Sequence, residues 1–200
     1  MIKIGICGSS GSGKGYVCKQ FSTYGYKWID TDRVYRDLAT PKSKCVKELK
    51  EYFGNSILNP DGSLNRKELS KSVFEGENSK ERLNKLNKIT HFHIQKETER
   101  IICESEENGY KGVLIDAPVL FESGFDKMCD ITICVTAPTD LKLQRIINRD
   151  GIPYEKALAR INNQLHDDEL RAKCDFEIVN SENENVEQQI LTIISKIEKL

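Results

Sequence analysis

The feature that most constrains this chain is a glycine-rich stretch that directly follows an apolar segment near the N-terminus. The apolar segment covers residues 2–7, and residues 8–15 read Gly-Ser-Ser-Gly-Ser-Gly-Lys-Gly. A helical pattern of apolar residues comes next, so the stretch lies between a predicted strand and a predicted helix. The spacing G-x-x-x-x-G-K in this setting is typical of a phosphate-binding loop. The alternative, an ordinary glycine- and serine-rich turn, explains the flanking strand and helix less well.

The residue types of this loop suit an anionic nucleotide. Glycines let the backbone approach a phosphate closely, and amide groups at a helix N-terminus then point toward it. Lys14 adds a positive charge for the β- and γ-phosphates. We therefore expect a nucleoside triphosphate to bind here. The expected contact residues are Gly8, Ser9, Ser10, Gly11, Ser12, Gly13, Lys14, Gly15 and Tyr16.

Residue 15 departs from the usual motif. A Ser or Thr normally follows the lysine, and its hydroxyl ligates Mg²⁺, but this chain has Gly15. Two other oxygen donors come at the ends of predicted strands, namely Asp32 and Asp116. We expect these carboxylates to hold Mg²⁺ through water.

The overall composition argues against a nucleic-acid-binding protein and against a membrane protein. The 200 residues include 30 Lys and Arg against 31 Asp and Glu, so nothing suggests a nucleic-acid surface. No apolar run reaches the roughly 18 residues of a membrane span, and no signal-peptide pattern opens the chain. Seven cysteines form no C-x-x-C pair. We expect a cytoplasmic protein, with Cys7, Cys18, Cys103 and Cys134 as small core residues.

Strand and helix patterns alternate along the chain, which predicts an α/β fold. Predicted strands cover 2–7, 26–30, 113–116, 130–136 and 175–179, and predicted helices include 14–24, 31–38, 139–149 and 154–165. A long amphipathic helix is predicted within 64–108. Because the strands are apolar throughout, we expect a parallel sheet covered by helices on both faces. Ligands of such sheets bind at the carboxyl ends of the strands.

Three carboxylates fall at those strand ends. Asp30 has two interpretations, a helix N-cap or a functional group, whereas Asp32 is interpreted as a general base or metal ligand. Asp116 ends the apolar segment Val-Leu-Ile-Asp, where nucleotide-binding enzymes place a magnesium-facing carboxylate. Its alternative role is to cap the turn before Pro118.

Two arginines, Arg145 and Arg149, are spaced four residues apart on a predicted helix and share a face. A guanidinium group can bind phosphate in a bidentate manner. The alternative is a solvated helix face on which Asp150 balances the charge. Trp28 and Tyr26 lie in a predicted strand and are interpreted as core residues.

These features occur together in one known family. The chain resembles dephospho-coenzyme A kinases over nearly its whole length. The resemblance rests on the loop, on Ile-Asp-Thr-Asp at 29–32, on Asp-Gly-Ser-Leu-Asn-Arg at 61–66 and on Asp-Ala-Pro-Val-Leu-Phe-Glu at 116–122. Further matching blocks lie at 52–54, 73–74, 86–91, 144–150, 160–164 and 175–180. The loop alone is shared by many kinases, but the order of the blocks is specific.

The resemblance implies a domain arrangement and a reaction. It implies a nucleotide-kinase-like P-loop core with a five-stranded parallel sheet at 1–54 and 109–200, a lid around 145–170, and a helical acceptor domain at 55–108. ATP would phosphorylate the ribose 3′-hydroxyl of dephospho-coenzyme A, the last step of coenzyme A synthesis. The implied catalytic residues are Lys14, Asp32 and Arg145, with ATP and Mg²⁺ as cofactors and Arg149 also near the nucleotide.

Two positions differ from the family pattern: Gly15 replaces a Ser, and Phe92 replaces a Pro. The implied function has two rivals, of which the second rests on Gly15. One is another small-molecule kinase, and the other is a nucleotide-binding protein with weakened catalysis. For the implied function we expect the small-molecule partners ATP and dephospho-coenzyme A, no nucleic acid, no membrane, and a monomer or weak oligomer.

Overall fold

The computed structural model describes residues 1–199 and divides the chain into two compact units. The first, called the core unit, contains residues 1–29 and the chain from Ser105 onward. The second, called the helical unit, contains residues 30–104. Each unit has its own apolar core, so the two are described separately.

The sheet of the core unit confirms the predicted α/β class. Within residues 1–199 the sheet has five strands in the order β2-β3-β1-β4-β5, and helices flank it. The strands are β1 Ile2–Cys7, β2 Tyr26–Asp30, β3 Gly112–Asp116, β4 Ile131–Thr136 and β5 Phe176–Val179. Parallel pairing places Ile6 of β1 beside Asp116 of β3 and Ile133 of β4. The carboxyl ends of these strands therefore lie at one edge.

Apolar residues on both faces of the sheet explain why helices cover it. Every residue of β3 and β4 is buried. The helices of the core unit are α1 Lys14–Thr23, α6 Thr139–Asp150, α7 Tyr154–Asn162, α8 Asp167–Lys173 and α9 Val186–Ile197. Phe21 of α1 and Ile190 of α9 pack on Ile4 and Ile133 in one cluster. Burial of such side chains supplies about 25 cal/mol per Å² of apolar surface.

The helical unit is built from four α-helices and a short 3-10 helix, Asn55–Ile57, around a separate core. The α-helices are α2 Thr31–Leu38, α3 Lys44–Phe53, α4 Arg66–Phe74 and α5 Ser79–Glu107, which begins in this unit. Leu49, Ile57, Val73 and Ile89 form the centre of its core. Asn65 caps α4 by accepting a hydrogen bond from the Glu68 amide at 3.2 Å.

Helix α8 was missed by the sequence prediction, which extended α7 to residue 165. The structure ends α7 at Asn162, and α8 begins after His166. The Glu169 side chain accepts a hydrogen bond from the His166 amide at 2.9 Å, which fixes the start of the new helix. Its seven residues are too few to display a clear helical period.

Two further expectations about buried residues were wrong. Cys103 is exposed, because it lies two residues from Ile101 on α5 and therefore turns away from the apolar stripe. Trp28 is 36% exposed and is not a core residue. Cys7, Cys18 and Cys134 are buried as predicted, and all seven cysteines, which lie within the described residues, are free. Among the helices of residues 1–199, none is long and apolar enough to cross a membrane.

Candidate active site

The glycine-rich loop follows β1 and leads into α1, as the sequence predicted. Gly11 and Gly13 have φ angles of +83° and +87°, which side chains strongly disfavour. A Cβ atom on Gly11 would lie 2.5 Å from the carbonyl oxygen of Lys142, and one on Gly13 would collide with the Asn180 amide. Both positions therefore require glycine for conformational and for steric reasons.

On one side of the loop, the middle of β2 and the end of β3 contribute side chains. The Lys14 ammonium forms an ion pair with Asp116 Oδ1. The indole Nε1 of Trp28 donates a hydrogen bond to Asp116 Oδ2 at 3.0 Å. Asp116 is only 5% exposed, so these charge-assisted contacts stabilise a buried carboxylate. We call Lys14, Gly15, Trp28 and Asp116 the β3 side of the loop.

Gly15 has space for a side chain. Its φ angle lies outside the left-handed region, and a Cβ atom there would lie 3.8 Å from Trp28 Cη2 and 4.0 Å from Cζ2. These separations are ordinary van der Waals contacts. The backbone therefore does not require glycine at this position, and a serine fits beside the indole ring.

On the other side, α6 and the end of β5 hold the loop by its carbonyl oxygens. Arg145 Nη1 donates to the Gly11 and Ser12 carbonyls at 3.1 and 3.3 Å, and Nη2 contacts Asn180 Oδ1 at 3.3 Å. Asn180 Nδ2 donates to the Ser12 carbonyl at 2.9 Å. We call Gly11, Ser12, Arg145 and Asn180 the β4 side of the loop.

The first serines of the loop are held by a cluster that the sequence prediction missed. Lys142 is 4% exposed, and its ammonium lies 2.9 Å from Asp167 Oδ2 and 3.2 Å from Ser9 Oγ. Ser9 Oγ donates to Asp167 Oδ1 at 3.0 Å. The Ser10 amide donates to Gln164 Oε1 at 2.7 Å. The segment between α7 and α8 therefore contacts the loop directly.

A cavity of about 410 Å³ adjoins this part of the loop. Its volume falls in the usual range of about 300–1,000 Å³ for ligand pockets. Its lining includes Gly8, Ser9, Pro118, Glu122, Gln164 and His166. The cavity thus offers room for a ligand beside the phosphate-binding loop, within the core unit.

Arg149 is placed differently from Arg145, although the two lie one helical turn apart. Its guanidinium binds Asp150 at 2.8 and 2.9 Å, and Arg160 also contacts Asp150. The hydrogen bond from Arg149, supported by one from Arg160, lowers the pKa of Asp150 to about 2. The two arginines of α6 therefore do not converge on one point, and a nucleotide role for Arg149 stays a prediction.

The two aspartates after β2 also differ. Asp30 is the N-cap of α2, because its side chain accepts a hydrogen bond from the Arg33 amide at 3.1 Å. Asp32 lies in the first turn of the same helix and is exposed. The capping interpretation of Asp30 is correct, and the catalytic role of Asp32 stays a prediction.

The thiols of Cys134 and Cys174 lie near the end of β1 and have raised pKa values. Cys7, the last residue of β1, lies with its Sγ atom 3.5 Å from Cys174 Sγ. A hydrogen bond with Cys174, followed by burial, raises the pKa of Cys134. Cys174 has a pKa raised to about 12: its contact with Cys134 lowers the pKa, but the contact with Cys7 and burial outweigh it. Thiols in this state are poor nucleophiles.

Comparison with known proteins identifies the family of this site. A family model described as dephospho-CoA kinase matches residues 2–186. The chain belongs to the dephospho-CoA kinase family. A dephospho-CoA kinase of Corynebacterium efficiens is 35% identical over 199 residues, with 98% of each chain covered.

Solved structures agree with this assignment. A dephospho-CoA kinase from Campylobacter jejuni is 26% identical with a TM-score of 0.67, and the match covers 98% of this chain and 97% of that one. A Thermus thermophilus protein is 27% identical with a TM-score of 0.76, over 100% of this chain and 97% of that one. A kinase of this family uses ATP. The P-loop kinase fold and the family expected from the sequence are therefore confirmed.

Proposed function

We propose that this chain transfers the γ-phosphoryl group of ATP to the ribose 3′-hydroxyl of dephospho-coenzyme A, the last step of coenzyme A synthesis. The observation that supports this most strongly is the family match over residues 2–186. The phosphate-binding loop, with Lys14 beside the buried Asp116, supplies a site for the phosphoryl donor. Such transfer depends mainly on positioning and on charge stabilisation.

Lys14 and the amides of the loop are proposed to bind the β- and γ-phosphates. Asp32 is proposed as the general base for the 3′-hydroxyl, because its place after β2 matches the second aspartate of the family motif. Arg145 is proposed to stabilise the transferring phosphoryl group, as the resemblance implies. Its bonds to the carbonyls of Gly11 and Ser12 support a second role, which is to hold the loop in shape.

Asp116 suits the role proposed for it toward Mg²⁺. Mg²⁺ prefers carboxylate and water ligands, and in kinases it neutralises charge on the β- and γ-oxygens. Asp116 supplies a buried carboxylate, whose present cationic partner Lys14 is the residue that we expect to turn toward the phosphates. Gly15 supplies no hydroxyl, so Asp116 and Asp32 would act through water. A monomer or weak oligomer in the cytoplasm remains our expectation.

A comparison of acceptors tests the proposed reaction. The chain is incubated with ATP and Mg²⁺ together with dephospho-coenzyme A, a nucleoside or a nucleoside monophosphate, and the products are identified by mass spectrometry. We expect phosphorylation of dephospho-coenzyme A and little of the others. Phosphorylation of a nucleoside alone would support the rival kinase, and binding of ATP without any turnover would support the non-catalytic rival.

Asp32→Asn tests the proposed base, with Asp30→Asn as its matched control. The first change should lower kcat by about 10²–10⁴-fold while leaving the Kd for ATP nearly unchanged, which is the usual size of general-base catalysis. The control should retain activity, because Asn caps a helix about as well as Asp. A fully active Asp32→Asn variant would remove Asp32 from the mechanism.

A further inference from the structure

Trp28 is the single tryptophan of this chain, and it lies beside the most conspicuous departure from the family pattern. Its indole Nε1 is 3.0 Å from Asp116 Oδ2, while the other carboxylate oxygen, Oδ1, faces Lys14. The far edge of the ring stands 3.8 Å from the point where a side chain on Gly15 would begin. One side chain therefore connects the residue-15 position with the buried carboxylate.

We propose that Trp28 is a positioning residue for Asp116: it holds Oδ2 so that Oδ1 keeps its orientation when Lys14 turns to the nucleotide. This inference rests on the proposed function, in which Lys14 binds phosphate and Asp116 acts toward Mg²⁺. Trp28 contacts the carboxylate and not the reacting atoms.

The chemistry of the indole suits this task. A carboxylate that loses one of its partners can rotate about its terminal torsion, for which the energy wells are broad. A donor on the second oxygen restricts that rotation. Indole N–H donates only and carries no charge, so it fixes the carboxylate without neutralising it. Asp116 thereby keeps its full negative charge for a cation and its waters.

The same contact bears on Gly15. Without a hydroxyl at residue 15, metal affinity depends more strongly on Asp116 and on the orientation of its carboxylate. Groups that orient metal-binding carboxylates typically affect metal affinity by about 10–100-fold when they are removed. We therefore expect the loss of the Trp28 N–H to weaken metal binding much more than nucleotide binding.

The test distinguishes the effect of the indole N–H group from the effect of the shape of the ring. One variant carries Trp28→Phe, and another carries 3-benzothienylalanine at position 28, in which sulfur replaces the N–H of a ring of nearly the same shape. Calorimetry measures the Kd for ADP with and without Mg²⁺, and kinetics measures the Mg²⁺ concentration for half-maximal rate. Tyr24→Phe is the control, since it removes a 2.8 Å hydrogen bond to Glu187 elsewhere in the core unit.

The inference predicts that both position-28 variants lose about tenfold or more of the tightening that Mg²⁺ gives to ADP. Their metal-free Kd for ADP should stay within about twofold of the unmodified chain, as should all values for Tyr24→Phe. A benzothienyl variant that behaves like the unmodified chain would overturn the proposal, because the ring would then act by packing alone. An equal loss of metal-free binding would overturn it as well.

Failure of the proposed function gives a different result. If the unmodified chain did not phosphorylate dephospho-coenzyme A, the kinetic measurement would fail for every variant. The calorimetric comparison would still decide whether the Trp28 N–H supports metal binding.

Discussion

The β3 side and the β4 side of the loop are held in different ways. On the β3 side, a charged pair, Lys14 and Asp116, lies where we propose that the phosphates bind, and Trp28 donates a hydrogen bond to Asp116. On the β4 side, Arg145 and Asn180 bind the loop through backbone carbonyl oxygens. One side thus offers charges that a ligand can engage, and the other satisfies the backbone of the loop itself.

This difference indicates that the two sides of the loop have different roles: the β3 side engages the ligand, and the β4 side holds the backbone of the loop. A bound phosphate can replace Asp116 as the partner of Lys14, because both are anions. No phosphate can replace Arg145 on the carbonyls of Gly11 and Ser12, because an anion does not donate hydrogen bonds to a carbonyl. We therefore expect the β3 side to rearrange when a nucleotide binds and the β4 side to stay fixed.

The largest effect is expected from Lys14→Met on the β3 side. Removal of a preorganised cation at developing phosphoryl charge should lower kcat by about 10²–10³-fold or more. Steady-state kinetics with ATP and dephospho-coenzyme A measures the loss, and circular dichroism checks that the fold persists. Turnover near that of the unmodified chain would show that the β3 side does not carry the chemistry.

A smaller loss, which affects both ATP affinity and kcat, is expected from Arg145→Ala on the β4 side. The substitution removes the guanidinium donor from the half-buried Gly11 carbonyl, whereas the Ser12 carbonyl keeps Asn180 as a donor. An unsatisfied carbonyl costs about 1–3 kcal/mol, so the substitution should weaken ATP binding about tenfold and lower kcat as well. Arg145→Lys should restore little, since an ammonium lacks the planar fork of the guanidinium. A fall in kcat with unchanged ATP binding would support the proposed contact with the phosphoryl group and would remove the second role, that of holding the loop.

Gly15→Ser on the β3 side should change the magnesium dependence and the rate of the reaction by a few-fold. A serine fits beside Trp28, and its hydroxyl would offer the ligand that the usual motif supplies. We expect a lower Mg²⁺ concentration for half-maximal rate, a higher kcat, and about 0.5 kcal/mol of added helix stability. A magnesium titration at saturating ATP measures the change. Identical titrations for both chains would mean that residue 15 does not influence the metal.

The smallest effect is expected at the far end of α6, from Asp150→Asn. Because the pKa of Asp150 is lowered to about 2 from 3.8, the ionised carboxylate stabilises the fold above pH 4, and this stabilisation is lost as the pH falls through about 2. The site is exposed, so Tm at pH 7 should fall by about 2 °C or less. Thermal melts should show the difference between the two chains shrinking between pH 4 and pH 2.

Much of the fold could be predicted because its signals are local. Strands β3 and β4 are buried at every position, and the loop has a fixed spacing between β1 and α1, so both features appear in short windows of sequence. Helix α8 could not be predicted in this way. Its start is set by the reciprocal bonds of His166 and Glu169 and not by an apolar period.

The side chains that hold the site in place make contacts between residues far apart in the sequence, and a single sequence does not reveal such contacts. Lys142 and Asp167 meet across 25 positions, and Trp28 and Asp116 meet across 88. Trp28 looked like a core residue because aromatic side chains favour strands. Its strand, β2, stands at the end of the sheet order, and the indole N–H instead found a carboxylate on β3.

The most direct test is a crystal structure of the chain with Mg²⁺, a non-hydrolysable ATP analogue and dephospho-coenzyme A. The account predicts that Lys14 leaves Asp116 for the phosphates, that Arg145 stays on the carbonyls of Gly11 and Ser12, and that the ribose 3′-hydroxyl lies within about 2.6–3.2 Å of Asp32. A structure in which Lys14 remains on Asp116 with the triphosphate bound elsewhere, or in which the 3′-hydroxyl lies far from Asp32, would contradict it.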